Sequence, residues 1–528
     1  MLGVAALVSS VALLLSGAAG QVEQASQSPV LTLSVTGRGW GHGIGMSQWG
    51  AYGFAQRGAG YRDILAHYYR GTELGKSGGT TMRVLLVESV AAVTVGSDAA
   101  FTLADRTAAG RELEPGRYKL GRALKIGEAT FASPLTLTAK GSPLVVNGVR
   151  YRGTVTVWVD KGKLNAINTV GLEPYLRGVV PREVPRTWPA EALKAQAVAA
   201  RSYALATRKP AGPFDAYADV RSQVYGGIDA EAAETTAAVQ ATAGEVLLYA
   251  GKVATTYFFS TSGGKTVAVS EAWPGSQQVP YLVSVEDPYD GASPHHTWGP
   301  VAVGSNQLRT ALKLRSPPVD ARLRVGPSGR VSHLVLTLAD GNVATVPAST
   351  VRSGLELRST WFRIGLLSLQ PPVRRTPVFG SKARVTGVVR GVANVVLERS
   401  VSGSGWEPVR PLGKGPFAVP FRAEQTTDFR LTGRGVVGSV LRVKVASRVT
   451  LKTAPGGVSG LVRPVLPGVI VTIQRQEGKR WTSAGTSTVD EQGAYTTELA
   501  LAPGVYRARV APRPGYALGL SKTLTVAP

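Results

Sequence analysis

The run from Gly171 to Leu205, GLEPYLRGVVPREVPRTWPAEALKAQAVAARSYAL, constrains this chain more than any other. Its second half predicts a helix over 189–208, started by Trp188 and Pro189, with proline suited to the first helical position and Glu191 in the first turn. Leu193, Ala197, Ala200 and Ala204 fall on one stripe of that helix, while Lys194 and Arg201 share another. The small alanines let neighbouring elements pack close to the helix axis. Just ahead of it, Pro181 and Pro185 frame Glu183 in an expected turn among Val179, Val180, Val184 and Trp188. Partial desolvation there raises a carboxyl pKa, which is the state a general acid needs near neutral pH. The alternative is a solvated Glu183 paired with Arg182 or Arg186.

Three further blocks carry chemistry. Residues 37–50 read GRGWGHGIGMSQWG, where alternating glycines imply a sharply bent backbone or a close approach to it. His42 and Gln48 lie in that block, and SQWGAYGFAQRG and YRDILAHYY predict two short helices after it. Residues 221–227 read RSQVYGG, and 258–273 read FFSTSGGKTVAVSEAW. Ser262 has no accompanying histidine and acid in a recognisable arrangement, so it is not read as a nucleophile.

These blocks, with VVPREVPRTWPAEALKAQAVAARSYAL, resemble the SpoIID/LytB family of bacterial proteins that act on cell-wall glycan. The resemblance implies a lytic transglycosylase with Glu183 as its catalytic acid. It implies sugar or acetamido contacts from Arg201, Gln223, Tyr225 and Ser262, and site positions for His42 and Gln48. Family members commonly carry a cysteine before the QVY word, and some bind zinc with its help. Here that position is Ser222, the chain has no cysteine, and its five histidines show no metal-ligand spacing. No metal and no cofactor are expected.

Block order departs from the sporulation member, in which the glycine block comes last. The segment LRSTWF at 357–362 resembles what precedes that block there, so a circular permutation is expected, with the strand around Arg358–Arg363 beside residues 37–46. The fold class expected is α+β, with helices on mostly antiparallel strands such as TMRVLLVES, YRGTVTVWVD, LNAINTV, EVLLYAG and KVATTYFFS. The catalytic region is placed at 31–366, with a β-rich insertion at 98–150. Two β-sandwich modules follow at 380–450 and 458–528. They are read from a weak repeat that aligns Gly387 with Gly460, Trp406 with Trp481 and Phe429 with Tyr506. Pro371, Pro372 and the run TAPGGVSG at 453–460 read as linkers.

Residues 1–22 lack charge and end in small residues, which suggests a signal peptide and export to the envelope or beyond, although the usual basic start is missing. The net charge is +25, and residues 371–528 hold 23 Lys and Arg against 8 Asp and Glu. These basic residues are scattered singly along expected strands, which speaks against nucleic acid and for anionic envelope polymers, or simply for a soluble basic surface. Peptidoglycan glycan strands are the expected main partner. The LytB side of the family offers a second reading, a non-catalytic glycan-binding module that modifies a cell-wall amidase. A purely structural envelope protein is a third, but it leaves Glu183, Gln223 and Ser262 unexplained together.

Overall fold

The computed structural model describes residues 26–107 and 110–527, so the expected signal peptide at 1–22 lies outside the described residues. Strand makes up 44% and helix 16% of the chain, an α+β composition. One seven-stranded sheet runs in the order Ala216–Tyr217, Thr81–Val90, Lys163–Gly171, Thr154–Asp160, Leu135–Ala139, Phe101–Ala104, Arg111–Leu113. All its pairings are antiparallel except the parallel contact of Ala216–Tyr217 with Thr81–Val90. Strands from 98–150 extend this sheet, and Phe101, Leu103, Leu135 and Leu137 share its core.

Helices α1 (Gln48–Ala55) and α2 (Tyr61–Tyr68) follow the glycine block as expected. The next helix, α3 (Leu172–Glu183), corrects the reading of Glu183 as a turn residue. Leu172, Tyr175, Leu176, Val179 and Val180 are buried along one face of α3, an apolar spacing that outweighs the proline signals. Pro181 sits in the last turn, where a missing N–H removes only one bond near a fraying end. Glu183 is therefore the last residue of a rigid helix. Helix α4 (Ala190–Thr207) follows, and α5 (Ala233–Ala241) after it.

Helix α4 is buried on opposite sides. The expected stripe of Leu193, Ala197, Ala200 and Ala204 packs on the seven-stranded sheet with α3. Ala195, Val198 and Ala199 pack on a second core with Ala51 of α1, and with Ile64, Leu65 and Tyr68 of α2. A helix enclosed all round needs small side chains if its neighbours are to approach, and this accounts for the alanine run.

Arg201, expected at the binding cleft, is instead fully buried between helices. Its Nε and Nη2 donate to the two carboxylate oxygens of Glu173 on α3, at 2.8 and 2.7 Å. Nη2 also donates to Val239 O of α5 at 3.2 Å, and Nη1 to Glu245 O at 3.1 Å. The guanidinium thus ties α3, α4, α5 and the following strand together. The strand expected over KVATTYFFS is interrupted: Lys252–Val253 pairs with Glu245–Tyr249, whereas Phe258–Phe259 pairs in parallel with Met46–Ser47.

A second sheet runs Thr297–Gly304, Val30–Arg38, Phe362–Gln370, Lys382–Arg390, Gly415–Arg422. Gly37 faces Phe362 in its register, and Gly41 N–H donates to Arg358 O at 3.0 Å, so 357–362 lies beside the glycine block. This sheet crosses the boundary expected near residue 366: Val30, Leu367 and Leu369 share a core with Val385, Leu397, Phe429 and Leu431. The last repeat has its own core around Val471, Ile473, Tyr495 and Tyr506. Phe429 and Tyr506, aligned by the repeat, occupy matching central strands. The TAPGGVSG run is a hairpin between Lys452–Ala454 and Gly457–Arg463 rather than a linker. A compact unit of three strands and two short helices between 305 and 354 packs on the second sheet.

Arg201→Met should lower stability by about 1–3 kcal/mol, because two carbonyls lose this donor and the part-exposed Glu173 carboxylate keeps only the Gly244 N–H, at 3.1 Å. Thermal and denaturant unfolding of the variant beside wild type checks this.

Candidate active site

The glycine block bends because left-handed backbone is needed where it passes the 257–262 segment. Gly45 has φ +73°, and a Cβ there would stand 2.0 Å from Tyr257 O; at Gly41, φ +121°, it would meet Phe259 Cβ at 2.8 Å. Trp40 and Thr261 exchange backbone hydrogen bonds of 2.8 and 3.0 Å, which anchors the loop. Ser47 then caps α1 by accepting the Gly50 N–H at 3.1 Å. Gln48, the first residue of α1, is aimed at the end of α3.

There a cleft of about 230 Å³ opens, walled by the glycine block, the α3–α4 link, residues 220–224 and residues 257–260. Its lining includes Trp40, Trp49, Trp188, Tyr203, Tyr257 and Trp273 around Glu183. Trp49, Tyr52 and Trp188 form a ring cluster with centroids 5.1–5.3 Å apart. Among the described residues lining the cleft, Glu183 is the sole carboxyl group.

Burial raises the Glu183 carboxyl to about 7, while hydrogen bonds from the Gln48 side chain and the Val224 N–H pull the other way. The negative end of the α3 dipole also opposes ionisation there. Desolvation disfavours the anion and two donors favour it, and the balance falls near neutrality.

The other expected site residues separate into two groups. Gln48 and Gln223 belong to the cleft. The Gln223 amide accepts from Tyr175 Oη at 3.3 Å and donates to Ala200 O at 3.3 Å. His42 also lines the cleft, but both its ring nitrogens are engaged by backbone. Nδ1 accepts the Ile44 N–H at 3.0 Å, so Nε2 is the donor to Phe258 O at 3.1 Å. Burial, with Arg352 nearby, pushes its pKa down to about 3, and it stays a neutral brace of the loop.

Three expected contacts lie away from the cleft. Besides Arg201, Tyr225 is a core residue that donates to Asn168 Oδ1 at 3.0 Å and packs against Tyr175 and Tyr151. Ser262 is fully buried and donates to Asp290 Oδ2 at 2.9 Å, while its Oγ accepts the Gly264 N–H. Each residue type fits a sugar contact, but each side chain is consumed by internal hydrogen bonds. The residue pattern set Trp188 beside Glu183 but did not point to the walls of Trp40, Trp49 and Trp273 or to Arg352. A sign was present in four tryptophans falling within or beside the motif blocks, at 40, 49, 188 and 273.

Residues 160–249 match the SpoIID family, described as Stage II sporulation protein. An uncharacterized protein of Brachyspira hyodysenteriae is 38% identical over 143 residues, covering 26% of this chain and 38% of that protein. The amidase enhancer of Bacillus subtilis is 34% identical over 220 residues, 41% of this chain and 30% of the enhancer. Stage II sporulation protein D of the same species is 33% identical over 159 residues, 27% of this chain and 46% of that protein. The chain thus spans less than half the length of each of these relatives.

The raised Glu183 pKa carries a sign for stability. The folded state holds its proton up to about pH 7, whereas an unfolded glutamate loses it near 4.5, so stability falls as pH rises from about 4.5 to 7. Glu183→Gln should remove that component and stabilise the protein at pH 8 by up to about 3 kcal/mol. Unfolding midpoints of both proteins between pH 4 and 8 test it.

Proposed function

We propose, for a chain that carries a SpoIID-family domain, that the cleft cleaves the N-acetylmuramic acid–N-acetylglucosamine bond of peptidoglycan as a lytic transglycosylase. The observation that carries this is one carboxyl, poised near neutrality, alone in an aromatic-walled cleft. Glycosidases that use water work with two carboxyl groups. A transglycosylase needs one, because the substrate brings its own nucleophile.

Protonated Glu183 donates its proton to the glycosidic oxygen as the C1–O bond breaks. The carboxylate so formed takes the proton of the muramyl C6 hydroxyl, whose oxygen bonds to C1 and closes a 1,6-anhydro ring. Glu183 ends protonated, and no water is consumed. Gln48 and the Val224 N–H stabilise the intervening carboxylate, so the acid is strong enough to give up its proton. The flat faces of Trp49, Trp188 and Tyr203 offer stacking surfaces for sugar rings. A peptidoglycan substrate places the protein outside the cytoplasmic membrane, with the basic modules at 380–528 held to anionic envelope polymers.

A second reading is supported by the similarity to an amidase enhancer: the cleft binds glycan and the protein acts on a cell-wall amidase without cutting. Mass spectrometry of peptidoglycan and of peptide-stripped glycan, digested by wild type and by Glu183→Gln, separates the two. The expected outcome is anhydromuramyl products with wild type and a loss of at least ~10²–10⁴ in rate with the variant. Reducing-end products would mean a hydrolase. Bound but uncut glycan, with stimulation of an added amidase, would move the assignment to the enhancer reading.

A further inference from the structure

Arg352 projects into the cleft from the short helix Ala348–Gly354, far along the chain from the motif blocks. Its guanidinium is half-buried, and among the described residues it has no ion pair and no hydrogen bond. The charged or titratable side chains it acts on are His42, which is neutral, and Arg330, which is another cation. Arg330 is itself occupied, donating from Nη2 to Ser262 O at 3.0 Å and to Lys265 O at 3.1 Å. The other arginine of the lining, Arg221, is held by Asp219 and Glu88. Among the described residues lining the cleft, Arg352 is therefore the cation without a partner, and burial lowers its pKa.

A desolvated charge without a partner is unfavourable, and the shortage is met when an anion enters. The planar fork of a guanidinium matches a carboxylate with two parallel hydrogen bonds. Amide and hydroxyl groups of a neutral sugar offer no such match.

We propose that Arg352 binds a carboxylate of the muramyl strand and so determines which strands the cleft accepts. The proposal rests on the glycan-cleaving reading of the cleft. A muramyl strand carries that group from one of two sources: the lactyl carboxylate of a peptide-free muramyl residue, or a carboxylate of the stem peptide. Attaching a peptide converts the first into an amide and removes its charge.

The test reads binding, in a Glu183→Gln background that prevents turnover, by titration calorimetry with and without Arg352→Gln. The probes are peptide-free glycan fragments, the same fragments with their carboxylates converted to methyl amides, and peptide-bearing fragments. Arg352→Gln should weaken binding of one carboxylate probe about tenfold and change the amidated probe less than about twofold. Arg352→Lys should recover part of the loss. Loss with peptide-free fragments assigns the lactyl carboxylate; loss with peptide-bearing fragments alone assigns the peptide. Equal losses with carboxylate and amide probes, or none with either carboxylate probe, would overturn the proposal. Because binding is measured, a protein that binds glycan but makes no anhydro product fails the catalytic reading and leaves this result readable.

Discussion

The ion pair of buried Arg201 with part-exposed Glu173 joins the two helices on which the cleft depends. Glu173 lies in the first turn of α3 and Glu183 at its end, so whatever fixes the start of that helix aims the acid at its finish. Arg201 supplies that fixing, with two hydrogen bonds to Glu173 and two more to carbonyls of the next elements. The alanines of α4 make the arrangement possible, because bulkier residues would hold the sheet core and the α1–α2 core too far apart to close the cleft between them.

From that frame the character of the acid follows. The carboxyl stands at a helix C-terminus under aromatic walls, and both settings oppose its charge. Gln48 reaches it because the glycine block turns tightly enough to start α1 beside the end of α3. His42 serves the same end indirectly, by bonding the loop to Phe258 and to Ile44. The cleft is thus assembled from segments that begin near residue 37 and end near residue 352, and the unit bearing Arg352 completes its lining.

Much of the local structure was legible. The helix over 189–208, the two short helices after the glycine block, and most of the central strands follow from periodicity. The failures share a cause. Pro181 and Pro185 suggested a turn at Glu183, but apolar residues at helical spacing from Leu172 to Val180 carried the helix through, since burial outweighs one lost hydrogen bond. The family resemblance implies sugar contacts from Arg201, Tyr225 and Ser262. Each is satisfied by a partner distant in sequence (Glu173, Asn168 and Asp290) that no local pattern reveals.

By itself the sequence determined the α+β class, the alanine helix, the acid at position 183 and the doubled β-unit of the tail. These are properties of spacing and composition, which act over a few turns of chain. Only the tertiary structure decided which polar groups remain free to meet a ligand. Gln48 arrives at Glu183 from 135 positions away, and Arg352 reaches the lining of the same cleft from 169 positions in the other direction. Hydrogen bonding is a contest among all groups brought close together, so whether a side chain is consumed internally or left open is settled by the packing of the whole molecule.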